Sequence, residues 1–131
     1  MIQVYTSDFQ NDRFYSKMGK FFASLDIAKE LERQVYNKDN SVWYLSCFDN
    51  EVLGFAALFD NGKHYFLDNL YVLPQHRNEG VAREIVREIV SNHTDKPILC
   101  IANNPYALKI FCSLGFKEVG KLGKYKKLVK H

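Results

Sequence analysis

The sequence predicts an α/β protein (mixed α+β), with a mixed, largely antiparallel sheet of six to seven strands flanked by about four helices. Three β-rich runs follow one another at 42–48, 52–59 and 64–73, and an Asp-Asn-Gly turn at 60–62 is typical of a hairpin between the last two. After these runs, segments whose apolar residues recur at helical spacing alternate with β-rich segments. This alternation indicates a strand–helix–strand unit beside the antiparallel strands. No repeat or linker divides the 131 residues, so a single domain over 1–131 is expected.

The N-terminal region is predicted to hold one short strand at 1–4 and two helices. Apolar residues recur there at helical spacing, and the pattern breaks near Ser24. These apolar residues are Phe14, Met18, Phe21, Phe22, Ile27, Ala28 and Leu31.

Two further helices are predicted in the C-terminal half. The first follows Gly80, and the second lies between Asn104, a good N-cap, and Gly115, which suits the residue just past a helix end. The apolar face of the first comprises Val81, Ala82, Ile85, Val86, Ile89 and Val90. Strands are predicted at 98–102, 116–120 and 125–129.

Composition and charge exclude several classes of protein. Hydrophobic residues make up 47% of the chain and aromatic residues 15%, which argues against disorder. The net charge of +3 is too small to indicate a nucleic-acid partner, and no apolar run approaches the length of a transmembrane helix. Because the N-terminus does not resemble a signal peptide, a cytoplasmic protein with no membrane partner is expected.

The cysteines and the C-terminal lysines are both interpreted as structural. Cys47, Cys100 and Cys112 lack metal-type spacing, so no metal is expected, and Cys100 and Cys112 are predicted to be packed, inert thiols.

The C-terminal segment is rich in lysine. These lysines are interpreted as protecting a terminal edge strand from pairing with other chains, with a patch for an anionic partner as the alternative. The lysines of this segment are Lys117, Lys121, Lys124, Lys126, Lys127 and Lys130.

A glycine-containing segment lies between the predicted strand at 64–73 and the helix after it. Residues 77–82 read Arg-Asn-Glu-Gly-Val-Ala and fit the pattern Arg/Gln-x-x-Gly-x-Gly/Ala. A helix start presents unpaired N–H groups and the positive end of the helix dipole, and Gly80 lets a bulky anion approach the backbone. The segment is therefore interpreted as a phosphate-binding loop, the alternative being an ordinary turn glycine.

A second motif covers residues 104–116 and reads Asn-x-x-Ala-x-x-x-Phe-x-x-x-Gly-Phe. The two motifs together resemble those of the GNAT (Gcn5-related N-acetyltransferase) superfamily, whose second pattern is N-x-x-A-x-x-x-Y-x-x-x-G-F. Phe111 stands where that family most often has a tyrosine. The resemblance implies the GNAT fold, with a sheet splayed between its fourth and fifth strands. The N-terminal half of the chain agrees with the family only in the order of its elements.

The resemblance also implies an acetyl-CoA-dependent N-acyltransferase, with pantetheine held in the splay between the fourth and fifth strands. The main chain that would hold pantetheine belongs to Leu70, Tyr71, Val72 and Leu73. The pyrophosphate would lie on Arg77, Asn78, Glu79, Gly80, Val81 and Ala82. The helix residues beside the pantetheine arm would be Asn104, Ala107 and Phe111, with a plain N-cap as the alternative role of Asn104.

Asp68 is the candidate general base. A lysine-like amine with a pKa of about 10.4 is deprotonated at pH 7 at a cost of about 4.6 kcal/mol, against about 1 kcal/mol for a peptide α-amine. Burial among apolar neighbours would make Asp68 a better proton acceptor. The alternative is that Asp68 and Asn69 anchor the splayed strand by hydrogen bonds.

Phe111 leaves the departing CoA thiolate without the phenol that the family commonly supplies. Because a thiol has a pKa of about 8.5, its anion is a tolerable leaving group at neutral pH, and the missing acid should slow the reaction without preventing it. Tyr106 and Tyr71 are possible substitutes.

The predicted function is transfer of an acetyl group from acetyl-CoA to an amine of a small molecule or a protein by direct attack. The alternative is a GNAT-fold module that binds acyl-CoA or a partner protein without turnover. The acceptor amine is expected near 14–36 and 43–44, and the protein is expected to be a monomer or a homodimer.

Overall fold

The computed structural model describes residues 1–32 and 35–131. The strands in this part of the chain are β1 (Ile2–Tyr5), β2 (Ser41–Phe48), β3 (Glu51–Asp60), β4 (Tyr65–Val72), β5 (Ile98–Ala102), β6 (Lys117–Leu122) and β7 (Tyr125–Lys130). The α-helices are α1 (Asp12–Phe22), α2 (Leu25–Leu31), α3 (Val81–Asn92) and α4 (Pro105–Ser113). Within the described residues, no helix is long and apolar enough to cross a lipid bilayer.

The strands form one sheet in the order β1-β2-β3-β4-β5-β7-β6. Every pair of neighbours is antiparallel except β4 and β5, which run parallel. The prediction of a mixed, largely antiparallel sheet is therefore confirmed.

The position of the last strand differs from the prediction. β7 lies between β5 and β6, so the edge of the sheet is β6 and not the chain-terminal strand. Leu128 of β7 is fully buried, whereas every residue of β6 is exposed. The interpretation of a terminal edge strand was wrong because burial of Leu128 holds β7 inside the sheet. Of the lysines named for it, Lys117 and Lys121 do lie on the edge.

The helices cover both faces of the sheet. Successive side chains of β2 point to opposite faces, and they enter two different clusters of buried residues. Tyr44 packs in the cluster that contains Ile85 of α3 and Phe111 of α4, whereas Trp43 packs in the cluster that contains Phe14 of α1. The periodicity of the helices therefore correctly indicated which of their faces are buried.

The helix boundaries agree with the residues that predicted them. The Ser24 hydroxyl accepts a hydrogen bond from the Ile27 N–H at 3.2 Å and caps α2, which accounts for the break after α1. Asn104 caps α4 in the same way. The buried residues of α3 are Val81, Ala82, Ile85, Val86 and Ile89, as its spacing predicted, and Val90, the sixth residue predicted on that face, is half-buried.

β4 carries a bulge and then parts from β5. Phe55 pairs with Tyr71 and Ala57 with Asp68, so two residues of β4 lie opposite Ala56. One of these two is Asn69, whose φ of +57° lies in the left-handed region. The parallel pairing of β4 with β5 covers only Tyr65, Phe66 and Leu67, although β4 continues to Val72. The splay that the resemblance implied is therefore present.

The cysteines only partly match the prediction. Cys47 and Cys100 are buried, and burial raises the pKa of the Cys100 thiol to about 12. Cys112 is exposed on α4, so the prediction that it is packed was wrong. The reason is geometric: Phe111 beside it occupies the buried face of this short helix.

Gly54 of β3 is expected to be essential for the packing of β4 against α3. A Cβ at this position would lie 2.9 Å from the Tyr71 carbonyl oxygen, which is main chain, and 3.1 Å from Cγ1 of the buried Val81, so one of these groups would have to shift. Gly54→Ala should therefore lower the free energy of unfolding by about 1–3 kcal/mol, the usual effect of overpacking. Urea denaturation measures this change.

Gly19→Ala is the matched control, since a Cβ at Gly19 of α1 meets nothing within 4 Å. In a helix interior this change should raise stability by about 0.5–1 kcal/mol. Equal effects of the two substitutions would contradict the steric account of Gly54.

Candidate active site

A cavity of about 610 Å³ lies where β4 and β5 part. Its walls come from α2, β4, the loop before α3, α4 and the β6–β7 hairpin. The predicted site residues that line it are Asp68, Leu70, Tyr71, Val72, Arg77, Asn78, Ala82, Asn104, Ala107 and Phe111. Those that do not are Leu73, Glu79, Gly80 and Val81, which lie beside them in the chain.

The loop before α3 ends in an open helix N-terminus. Gly80 is the N-cap of α3 with a φ of +83°, and no described side chain caps the helix there. A Cβ on Gly80 would have no atom within 4 Å, so the space in front of the first helical turn is open. Because the helix is 12 residues long, its first N–H groups and its dipole make this end attractive to an anion.

The Arg77 side chain connects this loop to β4 and α2 by two hydrogen bonds. Its Nε donates to the Val72 carbonyl oxygen at 2.9 Å, and Nη2 donates to Glu30 Oε2 at 2.7 Å. The guanidinium also lies over the Tyr71 ring, 5.3 Å from its centroid. The hydrogen bond to Glu30 raises the pKa of Arg77. Arg77 thus links the loop to Val72 of β4 and to Glu30 of α2.

Tyr71 lines the cavity, and the Arg77 guanidinium lies over its ring. Burial raises the pKa of its hydroxyl, and the negative charge of Glu30 raises it further. A raised pKa makes a phenol a weaker proton donor at neutral pH. Tyr71 is therefore a poor substitute for the tyrosine missing at position 111.

Asp68 lies on β4 at the start of the splay, and its side chain is only 12% exposed. Its Oδ1 accepts a hydrogen bond from the Asn69 N–H at 2.8 Å, and Lys38 Nζ lies 4.0 Å from Oδ2. The carboxylate thus combines a hydrogen bond within the bulge with a position on the cavity wall. Both predicted roles, anchor and base, are compatible with these contacts.

α4 contributes a polar cap and an apolar wall to the cavity. Asn104 Oδ1 accepts from the Ala107 N–H at 2.8 Å, which is the N-cap role predicted for it. Phe111 is 2% exposed, and its ring lies 5.3 Å from that of Phe116. Tyr106 also lines the cavity and is 45% exposed, which leaves its hydroxyl in reach of solvent.

Two carboxylates and a tyrosine of this cavity were missed by sequence reasoning. Glu30 and Glu32, at the end of α2, line the cavity together with Tyr125 of β7. The Tyr125 hydroxyl donates to Glu32, and Lys124 Nζ lies 2.7 Å from Glu32 Oε1. These contacts join residues more than ninety positions apart in the chain. No local motif marks them.

The described residues contain no group of three or more histidine, cysteine, aspartate or glutamate side chains that could hold a metal ion. The candidate groups of this cavity are Asp68, the main chain of β4 and the loop before α3.

Comparison with known proteins identifies the family. Residues 2–116 match the model of the Acetyltransferase (GNAT) family. No curated protein sequence matches the chain significantly.

Several solved structures share the fold over nearly the whole chain. Escherichia coli ElaA has a TM-score of 0.81 at 13% identity, covering 100% of this chain and 99% of that one. The Bacillus subtilis N-acetyltransferase YlbP in complex with coenzyme A has a TM-score of 0.62 at 22% identity, with 100% and 97% covered. A GNAT acetyltransferase from Elizabethkingia anophelis with acetyl-CoA bound has a TM-score of 0.66 at 13% identity, with 99% and 97% covered. The chain belongs to the GNAT acetyltransferase family.

Proposed function

We propose that residues 1–131 form one domain that transfers an acetyl group from acetyl-CoA to an amine by direct attack. The observation that carries this proposal is the continuity of one cavity. It runs from Asn78 and Ala82, at the open start of α3, along the stretch of β4 that has left β5. An anion site and the edge of β4 that faces away from β3, from Leu70 to Val72, lie in one cleft and suit a ligand with a phosphate end and an amide-containing arm.

The residues present fit acetyl-CoA. The uncapped start of α3 and the open space at Gly80 suit the pyrophosphate. β4 has no β5 partner beyond Leu67 among the described residues, so main-chain groups from Leu70 to Val72 can pair with pantetheine amides. Asn104 and Ala107 would flank the arm, with Phe111 as its apolar wall. When bound, acetyl-CoA supplies the activated acetyl group.

Asp68 is the residue that we assign to proton removal. An amine must be neutral to attack, and a lysine-like amine loses its proton at pH 7 only at a cost of about 4.6 kcal/mol. A largely buried carboxylate on the cavity wall can accept that proton when the amine lies within hydrogen-bond reach. A β4 main-chain N–H would polarise the carbonyl that the amine attacks.

Of the segments named for the acceptor amine, α2 lines the cavity, whereas Trp43 and Tyr44 are buried and do not line it. We therefore expect the amine in the part of the cavity lined by α2 and the β6–β7 hairpin. Glu30, Glu32, Leu122 and Tyr125 form this wall, on the same cavity as Asp68. It accommodates an amine of a small molecule or an amine presented by a protein. This wall belongs to a different part of the chain from the motifs that place the CoA arm.

Turnover with a panel of primary amines tests the proposal. Dipeptides supply α-amines, N-acetyl-lysine amide supplies a side-chain amine, and simple alkylamines supply small acceptors. At fixed acetyl-CoA we expect thiol release that depends on one class of amine, with the acetylated product seen by mass spectrometry. Acetyl-CoA binding without product from any amine would favour the alternative, a binding module.

That alternative is motivated by one observation, the phenylalanine at position 111. Phe111→Tyr distinguishes the two functions because it would place a hydroxyl on the apolar wall of the cavity. In an enzyme whose leaving thiolate takes its proton from water, kcat should be kept or raised, with little change in acetyl-CoA affinity. In a binding module the new hydroxyl should create no turnover. Single-turnover rates with one accepted amine measure the difference.

Phe116→Tyr is the matched control for that substitution. Phe116 packs on Phe111 but does not line the cavity, so a hydroxyl there should disturb packing without aiding transfer. A large loss of rate in Phe111→Tyr with acetyl-CoA binding intact would show that the unmodified ring is itself required.

A further inference from the structure

A second groove, of about 990 Å³, runs between α1 and β1, the strand at the opposite edge of the sheet from β6. None of its lining residues lines the cavity at the splay. They are Gln3, Val4, Tyr5, Thr6, Phe9, Asn11, Arg13, Ser16, Lys17, Lys20, Asn50, Glu51 and Val52.

The main chain of β1 is available for pairing along this groove. Met1 and Cys47 exchange both main-chain hydrogen bonds, at 2.9 and 3.1 Å, so they form a hydrogen-bonded pair of the antiparallel ladder. The pairs alternate, and Ile2 opposite Ser46 and Val4 opposite Tyr44 are therefore the non-hydrogen-bonded pairs. The N–H and C=O groups of Ile2 and Val4 consequently point away from β2, toward the free edge.

The wall opposite β1 carries a stripe of positive charge. Arg13, Lys17 and Lys20 occupy one side of α1 at intervals of four and three residues, and all three line the groove. Among the described residues none of them forms an ion pair, and Glu51 is the one carboxylate in the lining. The groove therefore favours an anionic occupant.

The spacing of these charges matches an extended chain. Four residues of α-helix advance by about 6 Å, and two residues of a β-strand by about 6.6 Å. Acidic side chains at alternate positions of a strand paired with β1 would therefore repeat at nearly the same distance as Arg13 and Lys17, which line the groove with β1. The exposed side chains of Val4 and Phe9, 43% and 69% exposed, offer apolar contact to the rest of such a strand.

We propose that this groove binds an extended acidic segment of a partner protein, which adds as a strand to the β1 edge with alternate carboxylates facing α1. Strand addition uses main-chain hydrogen bonds for affinity and alternate side chains for specificity. A second copy of the chain fits less well, because pairing β1 with β1 about a two-fold axis would bring two copies of the basic stripe onto one face.

The test uses the full chain and a fluorescein-labelled, end-blocked hexapeptide of alternating glutamate and valine, with the lysine–valine hexapeptide as the charge control. Fluorescence anisotropy should show saturable binding of the acidic peptide and no binding of the lysine–valine peptide. Lys17→Glu should weaken it by about tenfold or more, the scale of a lost charge-assisted hydrogen bond. Arg87→Glu is the matched control, since Arg87 is exposed on α3 outside the groove, and it should leave affinity unchanged.

The pairing with β1 is tested separately. Val4→Pro removes an N–H that faces the open edge without removing a β1–β2 hydrogen bond, so it should abolish binding, whereas Val4→Thr should not. If Val4→Pro fails to fold, hydrogen exchange of the native chain decides instead: the peptide should slow exchange at Ile2 and Val4 but not at Gln3. The proposal is overturned by absence of binding at millimolar peptide, by equal binding of the lysine peptide, or by binding that leaves the Ile2 and Val4 amides unchanged.

Discussion

Asp68→Asn is expected to lower turnover by about 10²- to 10⁴-fold, the usual contribution of a positioned general base. Asparagine has the same size as aspartate, and its side-chain oxygen can still accept the hydrogen bond from the Asn69 N–H, which is 2.8 Å long in Asp68. The substitution removes the carboxylate, which is the group that would take the proton. The acidic limb of the pH–rate profile should therefore disappear, while affinity for acetyl-CoA is kept. Steady-state rates against pH, with one accepted amine, measure both effects.

Asp60→Asn is the matched control for this change. Asp60 ends β3, is held by Lys96 at 2.7 Å and does not line the cavity, so its loss should leave the pH–rate profile unchanged. An Asp68→Asn variant that turns over at the native rate, or one that fails to fold, would assign Asp68 to anchoring the bulge of β4. The melting temperatures of both variants separate these two outcomes.

Gly80→Glu is expected to abolish the stabilisation of the protein by acetyl-CoA. At a concentration one hundred times its Kd, a ligand that binds only the folded state adds about 2.7 kcal/mol of stability, which is a rise of several degrees in melting temperature. A glutamate at Gly80 would place its carboxylate in front of the α3 N-terminus, where it competes with phosphate for the same N–H groups. A thermal melt with and without acetyl-CoA measures the loss.

The variant should still fold, since a Cβ at Gly80 meets no atom within 4 Å. The φ of +83° makes any side chain there strained, by about 1–2 kcal/mol. Gly80→Asn controls for that strain, because asparagine tolerates a left-handed conformation and adds no charge. It should keep more of the acetyl-CoA shift than Gly80→Glu. An undiminished shift in folded Gly80→Glu would refute the phosphate site at this loop.

Elements whose signals are contiguous in the chain were predicted well. The buried face of α3 followed from its periodicity, since side chains three and four positions apart share one side of a helix. The N-cap at Asn104 was predicted because its side chain can accept a hydrogen bond from the N–H group three positions on, and the break near Ser24 was predicted from the end of the apolar pattern. The placement of residues 77–80 between β4 and α3, and of Val81 and Ala82 at the start of α3, also depends on sequence neighbours alone.

The predictions of the edge strand and of a buried Cys112 were wrong because each depends on how several elements pack together. Periodicity indicates that a strand has a buried side, but it does not say which strand becomes its neighbour. Burial of Leu128 therefore placed β7 inside the sheet and left β6 at the edge, contrary to the expectation of a terminal edge strand. Cys112 was misjudged for a related reason, since only the packing of α4 shows that Phe111 takes the buried face.

The sequence by itself determined the family, the order of the elements and the loop at the start of α3, because each depends on residues close together in the chain. Only the tertiary structure decided which charged groups meet at the cavity: Glu30 with Arg77, and Glu32 with Lys124 and Tyr125. It also decided that Arg13 and Lys17 line one groove with residues of β1. Such contacts form when packing of the apolar faces brings distant segments together, and the polar residues that meet carry no shared pattern in the sequence.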